Sequence, residues 1–219
     1  MNERQNQDPS EAGRRTELRS RIRPLGAETA DEVFLPFLDL CFNWSMDQPR
    51  VEVDELLERD DAAFYFKGWG RNGDIAVAAY AEDSNASDTT DKASADQDLH
   101  PDIVGLAWLR LAAIDAVIEK SAADPADDAT TEAGSRFTGY GWVAADIPEL
   151  SLAVLPDHQS QGIGGMLLDV VCTLAKMSGF PAVSLSVADG NGAARLYHDR
   201  GFVTVGRNGD SDILVRQLK

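Results

Sequence analysis

The chain has 219 residues, enough for one domain with a sizeable core, and carries 37 acidic against 20 basic residues for a formal net charge of -17. That charge argues against nucleic acid, whose binders need a basic face, and against an anionic membrane surface, while it is compatible with a cationic substrate. Two cysteines, Cys41 and Cys172, match neither a metal-ligand spacing nor a disulfide framework, no apolar run approaches a transmembrane span, and the first residues lack a signal-peptide core. A cytoplasmic protein without a metal site is the expectation.

Residues 1–20 are polar, charged and without periodicity, which predicts a disordered tail ahead of a single domain over 21–219. Residues 21–25 read as a short first strand. Thr29-Ala30-Asp31-Glu32 has the form of a capping box before an apolar helical face at Val33, Phe34, Phe37, Leu38 and Cys41. Pro36 falls inside that helix and demands a kink or a late start. A second short helix is predicted over 54–59, then a turn at 69–73 and a strand over 75–80. Two stretches, 82–100 and 120–135, are mostly Asp, Ser, Thr and Ala, too poor in apolar residues to offset the entropy of ordering them, and are predicted as mobile insertions. Between them, 103–111 reads as a strand containing Trp108.

The stretch from Glu149 to Gly165 organises the rest. Leu150, Leu152 and Val154 alternate as in a strand with one face on a core, and Pro156 ends it. A polar loop follows and closes with Gly162, Gly164 and Gly165. At once the apolar spacing turns helical, through Ile163, Met166, Leu167, Val170, Val171, Leu174 and Ala175, up to a glycine stop at Gly179. Strand, glycine loop and helix make a phosphate site, because the first helical N–H groups lack internal partners and carry the positive end of the dipole. A Walker loop would need Lys followed by Ser or Thr where Gly165-Met166 stands, and a dinucleotide fingerprint would need glycine at Leu167 and more chain beyond it. The structural alternative is a connection whose glycines merely allow close packing.

Downstream, 183–187 alternates as a strand, and Asp189-Gly190-Asn191-Gly192 is a turn whose Asn191 can cap a helix carrying Ala193, Leu196 and Tyr197. Two last strands, 202–205 and 213–218, are joined by residues 206–210. The order is that of one mixed α/β domain.

Gln159-x-x-Gly162-x-Gly164 resembles the pyrophosphate-binding signature of the GNAT superfamily of N-acetyltransferases, and Asn191-x-Ala193-x-x-Leu196-Tyr197 with Gly201-Phe202 resembles its second signature. The resemblance covers 21–219. It implies a mostly antiparallel twisted sheet flanked by helices, and acetyl transfer from acetyl-CoA to a primary amine of a small molecule or peptide by direct attack. It implies that Leu152, Ala153, Val154, Gln159, Ser160, Gln161, Gly162, Ile163, Gly164, Gly165 and Asn191 bind acetyl-CoA, with Tyr197 as the acid for the leaving thiolate. Many members carry a glutamate in the strand before the Asn-x-Ala motif. Here that strand reads Leu185-Ser186-Val187, without a carboxylate, and the resemblance implies Glu149 as the alternative base, since other members keep an acid at the start of the organising strand. The acceptor side is expected near Trp44, Tyr65 and Trp69. A catalytically silent CoA-binding or regulatory module is the alternative, and a homodimer is compatible with either.

Overall fold

The computed structural model describes residues 9–82, 102–117 and 137–219. Its frame is a seven-stranded sheet in the order β1-β2-β3-β4-β5-β7-β6. The strands are β1 Ile22–Leu25, β2 Ile75–Tyr80, β3 Ile103–Arg110, β4 Glu149–Val154, β5 Ala182–Ala188, β6 Val203–Asn208 and β7 Ser211–Gln217. All neighbours are antiparallel except β4 and β5, which run parallel. The mixed fold with a mostly antiparallel sheet is therefore as expected. Among the described residues, no helix is long and apolar enough to cross a membrane.

Two cores cover the two faces of the sheet. On one face lies α5, Ile163–Met177, the crossover that parallel β4 and β5 require. Its Ile163, Leu167, Leu168, Val171 and Ala175 pack with Leu150 and Val154 of β4 and with Leu185 of β5. Gly105 of β3 lets this helix lie close, since a Cβ there would stand 3.0 Å from Leu167. On the other face, α2 Leu35–Phe42, α3 Val53–Glu58 and α4 Asp60–Phe66 enclose Trp108 with Phe34, Leu38, Leu56 and Tyr65. The last helix, α6 Ala193–Asp199, joins β5 to β6 and places Tyr197 in the first core.

Three local expectations change. From Pro9 to Ser20 the expected tail is a helix, α1, and Leu18 packs against the α5 side of the core. One anchored leucine is invisible to periodicity. The capping box is not used: Ala30 sits at the N-cap without a side-chain bond, and Asp31–Phe34 form a 3₁₀ turn before α2 starts, with Pro36 in its first turn. The Asp31 carboxylate is engaged elsewhere, accepting from the Gly68 and Trp69 amides at 2.7 and 2.9 Å. The last two strands are longer than expected, leaving Gly209-Asp210 as the turn between them. The acidic segments lie outside the described residues, apart from Glu82, which pairs with Arg21 at 2.9 Å.

Helix α4 was not legible as a helix, and its end is held by a buried cation. Arg110, 1% exposed at the end of β3, donates to the carbonyls of Phe64, Lys67 and Gly68 and to Asp74. A guanidinium suits this position because its planar fork meets several carbonyls at a helix C-terminus, where the dipole favours a cation. Arg110→Met would leave those buried carbonyls without their donor and the Asp74 charge with Arg71 as its remaining cation. Removing one partner of a buried pair costs about 3–5 kcal/mol, so urea unfolding should show a loss of that order, well beyond a surface Arg→Met change.

Candidate active site

Strands β4 and β5 share a single ladder pair, Glu149 with Ser184. The Leu155 amide donates to Val104 of β3 at 2.9 Å, whereas the Ser184 amide of β5 donates to Pro148 at 3.0 Å. Odd-numbered β4 residues therefore turn their peptide groups toward β3 and even-numbered ones toward β5. Beyond the shared pair, the Leu152 and Val154 peptide groups face an opening. Gln159 donates to the Val154 carbonyl at 3.0 Å and the Cys41 thiol lies 3.6 Å from the Leu152 carbonyl, so the two N–H groups are what the strand offers there. Ala153 points the other way, into the α2 side of the core.

At the mouth of this opening is the glycine loop. Ser160 and Gly162 adopt left-handed backbones, φ 60° and 86°, which reverse the chain just before α5. The Met166 amide makes an early intrahelical bond, to Gly162 at 3.1 Å, so the amides of Ile163, Gly164 and Gly165 precede the ladder. Gln161 ties back to the Asp157 carbonyl at 3.1 Å. The glycines differ in role. A Cβ on Gly164 would meet Leu152 and Leu196 at 3.6 Å, an ordinary contact, so packing does not demand glycine; its absence keeps the cleft open. A Cβ on Gly165 would press on the Arg200 guanidinium at 2.6 Å, and Arg200 donates to the Gly165 carbonyl, so that glycine serves packing. The Ile163 side chain is core and offers only its backbone.

Tyr197 is 7% exposed, and its hydroxyl makes no hydrogen bond among the described residues. Burial, and then the nearby Cys41 thiol, push its phenol well above the ordinary value. Burial also pushes the Cys41 thiol up to about 12. Cys41 comes from α2 on one face of the sheet and Tyr197 from α6 on the other. Asn191 caps α6 through its side-chain oxygen, which accepts from the Ala193 amide at 2.9 Å.

On the α2 side, at the closed end of the opening, sits Glu149. One of its oxygens accepts from the Tyr65 hydroxyl at 2.9 Å and from the Gly141 amide at 2.8 Å. Gly139, at φ 110°, is required beside it, since a Cβ there would stand 2.0 Å from the other oxygen. Tyr65 also accepts from the Tyr140 amide at 3.0 Å and stacks on the Tyr140 ring. Phe42, Phe64 and Phe137 pack edgewise around this pair. Of the acceptor residues expected from sequence, then, Tyr65 is brought to Glu149. Trp44 is exposed on the loop after α2, and Trp69 packs on Phe34 and donates to Gly26, on the Arg110 side of the fold. Sequence reasoning missed Tyr140 and its flanking glycines; the signal was a Gly-Tyr-Gly run directly after an acidic segment.

Residues 127–204 match the family model of a GNAT acetyltransferase domain. In fold, the chain is similar to an acetyltransferase of the GNAT family from Staphylococcus aureus Mu50, at 15% identity and TM-score 0.53 over 90% of this chain and 99% of that one. It is likewise similar to a candidate acetyltransferase of Acinetobacter baylyi ADP1, at 14% identity and TM-score 0.51 over 90% and 92%. A candidate acetyltransferase of Salmonella typhimurium, yncA, solved with its cofactor acetyl-CoA, shares 18% identity over 91% of this chain and 95% of that one, with TM-score 0.47. No curated protein matches the chain. The chain has the GNAT fold, and the match to the acetyltransferase domain model spans residues 127–204 of it.

Tyr140 donates to Asp61, which also holds Arg59 through two bonds, at 2.9 and 2.6 Å. Burial opposes ionisation of Asp61, yet the bonds from Arg59 and Tyr140 outweigh it and hold the carboxyl below its ordinary value. A depressed folded-state pKa stabilises the fold above the unfolded pKa and is lost as pH falls through the folded value. The stability gap between wild type and Asp61→Asn, read by chemical denaturation, should be widest above about pH 4 and should close below it.

Proposed function

We propose that this protein is an N-acetyltransferase that moves the acetyl group of acetyl-CoA to a primary amine of a small molecule or peptide by direct attack. The observation that carries the reading is the opening between β4 and β5, with the Leu152 and Val154 amides turned into it and the amides at the start of α5 at its mouth. The orphan hydroxyl of Tyr197 and the space left by Gly164 fit a thioester and its pyrophosphate. Acetyl-CoA supplies an activated acyl carbon; the C–N bond forms as the C–S bond breaks.

This chain's residues divide the remaining work. The amides from Gln161 to Gly165 hold the pyrophosphate, and the Leu152 and Val154 strand binds pantetheine. The Val154 amide is the donor for the oxyanion that develops on the carbonyl. Glu149 takes the proton of the attacking amine through a water, because its carboxylate is 5% exposed. Tyr197 donates to the departing sulfur. A raised phenol cannot give its proton outright to a thiolate, whose acid has a pKa of about 8.5, so Tyr197 acts as a neutral hydrogen-bond donor and solvent supplies the final proton. A Cys41 thiol raised to about 12 stays protonated at neutral pH, which favours direct transfer over an acyl-cysteine route.

The test is acetyl-CoA-dependent thiol release across a panel of polyamines, aminoglycosides, amino acids and peptide N-termini. A protein that binds acetyl-CoA and turns over none of them is the silent module instead. Gly164→Asp should fold and lose acetyl-CoA affinity by calorimetry, because it sets a carboxylate against the phosphates; unchanged affinity would refute the site.

The two side chains are separable by pH. Glu149→Gln keeps an oxygen for Tyr65 and Gly141, so it should fold. Its rate should fall by about 10²–10⁴ near neutral pH and partly recover at high pH, where free amine is abundant. Tyr197→Phe should lower the rate by a factor that stays constant up to about pH 10, since the hydroxyl does not ionise in that range. A pH-independent loss in Glu149→Gln would assign Glu149 to positioning.

A further inference from the structure

We infer that the groove between α1 and α5 holds the 3′-phosphate end of coenzyme A, with Arg15 and Arg19 as its phosphate ligands. The inference rests on the acetyl-CoA reading above and extends it to a part of the chain that the family match, residues 127–204, does not include.

The groove has a volume of about 350 Å³ and is lined by Arg15, Thr16 and Arg19 from α1 and by Met166, Asp169, Val170 and Thr173 from α5. It adjoins the phosphate loop. Leu18 reaches to within 3.8 Å of where a Cβ on Gly162 would stand. Arg15, Leu18 and Arg19 are spaced i, i+3 and i+4, so the face of α1 that meets the loop also carries both guanidinium groups.

Charge points the same way. Coenzyme A carries a dianionic phosphomonoester on its ribose besides the pyrophosphate, and this chain carries a net charge of -17. A field of that sign opposes the ligand, and cations where the phosphomonoester lands, beyond the helix dipole that faces the pyrophosphate, offset it. Neither Arg15 nor Arg19 has a carboxylate partner among the described residues. The one carboxylate in the groove, Asp169, is already paired with Arg200 at 2.7 Å. Met166 and Val170 give an apolar floor on which a purine can lie, while the arginines take a phosphate in the bidentate manner that suits them.

The test compares calorimetric binding of coenzyme A and of 3′-dephospho-coenzyme A. Wild type should bind the dephospho ligand roughly tenfold or more weakly, the scale of losing charge-assisted bonds. In the Arg15→Ala/Arg19→Ala variant the two ligands should bind alike, because the partners of the missing phosphate are gone. Arg14→Ala, on α1 but outside the groove, should keep the wild-type preference. A double variant that retains the preference, or a wild type that has none, overturns the assignment while leaving the acetyl-CoA reading intact. If wild type binds neither ligand, that reading itself fails.

Discussion

The parting of β4 from β5 is the constraint on which the rest of the site depends. Each strand is fully paired on its outer side: β4 to β3 over all six residues, and β5 to β7 over all seven. Their inner edges meet once, at Glu149 and Ser184. Backbone N–H groups held at a strand edge inside a fold are costly unless something pairs with them, and such strain is kept where it has a use. The Phe137–Trp142 region lies across the β5 side. Gly141 rests so close to that strand that a Cβ would stand 2.5 Å from the Leu185 carbonyl carbon. The same residue's amide bonds Glu149, so one segment both leans on β5 and fixes the carboxylate at the closed end.

An opening through a sheet lets side chains from opposite faces meet. Tyr197 belongs to the α5 side of the core, and Cys41 reaches the Leu152 carbonyl from α2. Elsewhere the sheet separates these layers. In the proposed reaction the cofactor comes from the glycine-loop end and the amine from the α2–α4 side, so neither has to displace the other.

How much of this was legible depends on how local its cause is. The strand at Leu150–Val154, the glycine loop and α5 follow from a change of hydrophobic period within fifteen residues, whereas Tyr197 was singled out by the family resemblance that Asn191, Ala193 and Gly201 carry. Helix α1 was illegible because, among the described residues, Leu18 is the one apolar side chain it sends into the core. The short helix α4 depends on Arg110, which lies more than forty positions away in sequence and holds its last carbonyls. Trp69 looked like Tyr65, an aromatic near acidic residues. Only the tertiary placement of Asp31 and Phe34 assigns it to packing and leaves Tyr65 with Glu149. Composition and period carry no information about such distant pairings.

The glycine loop contains no lysine or arginine from Pro156 to Gly165, and it includes Asp157. In a chain of charge -17, attraction for an anion therefore falls to backbone amides and the dipole of α5. Partial charges act only at close range and in fixed directions, so the loop must be built before the ligand arrives. Its bonds do this. Gln159 fastens one end to Val154, Gln161 fastens the middle to Asp157, and Ser160 is held at a φ of 60° that a serine seldom adopts. A loop of lysines would recruit phosphate from afar but would leave its position loose. In the proposed acetyl-CoA reading, rigidity stands in for charge at the pyrophosphate, and formal cations serve beyond the reach of the helix dipole.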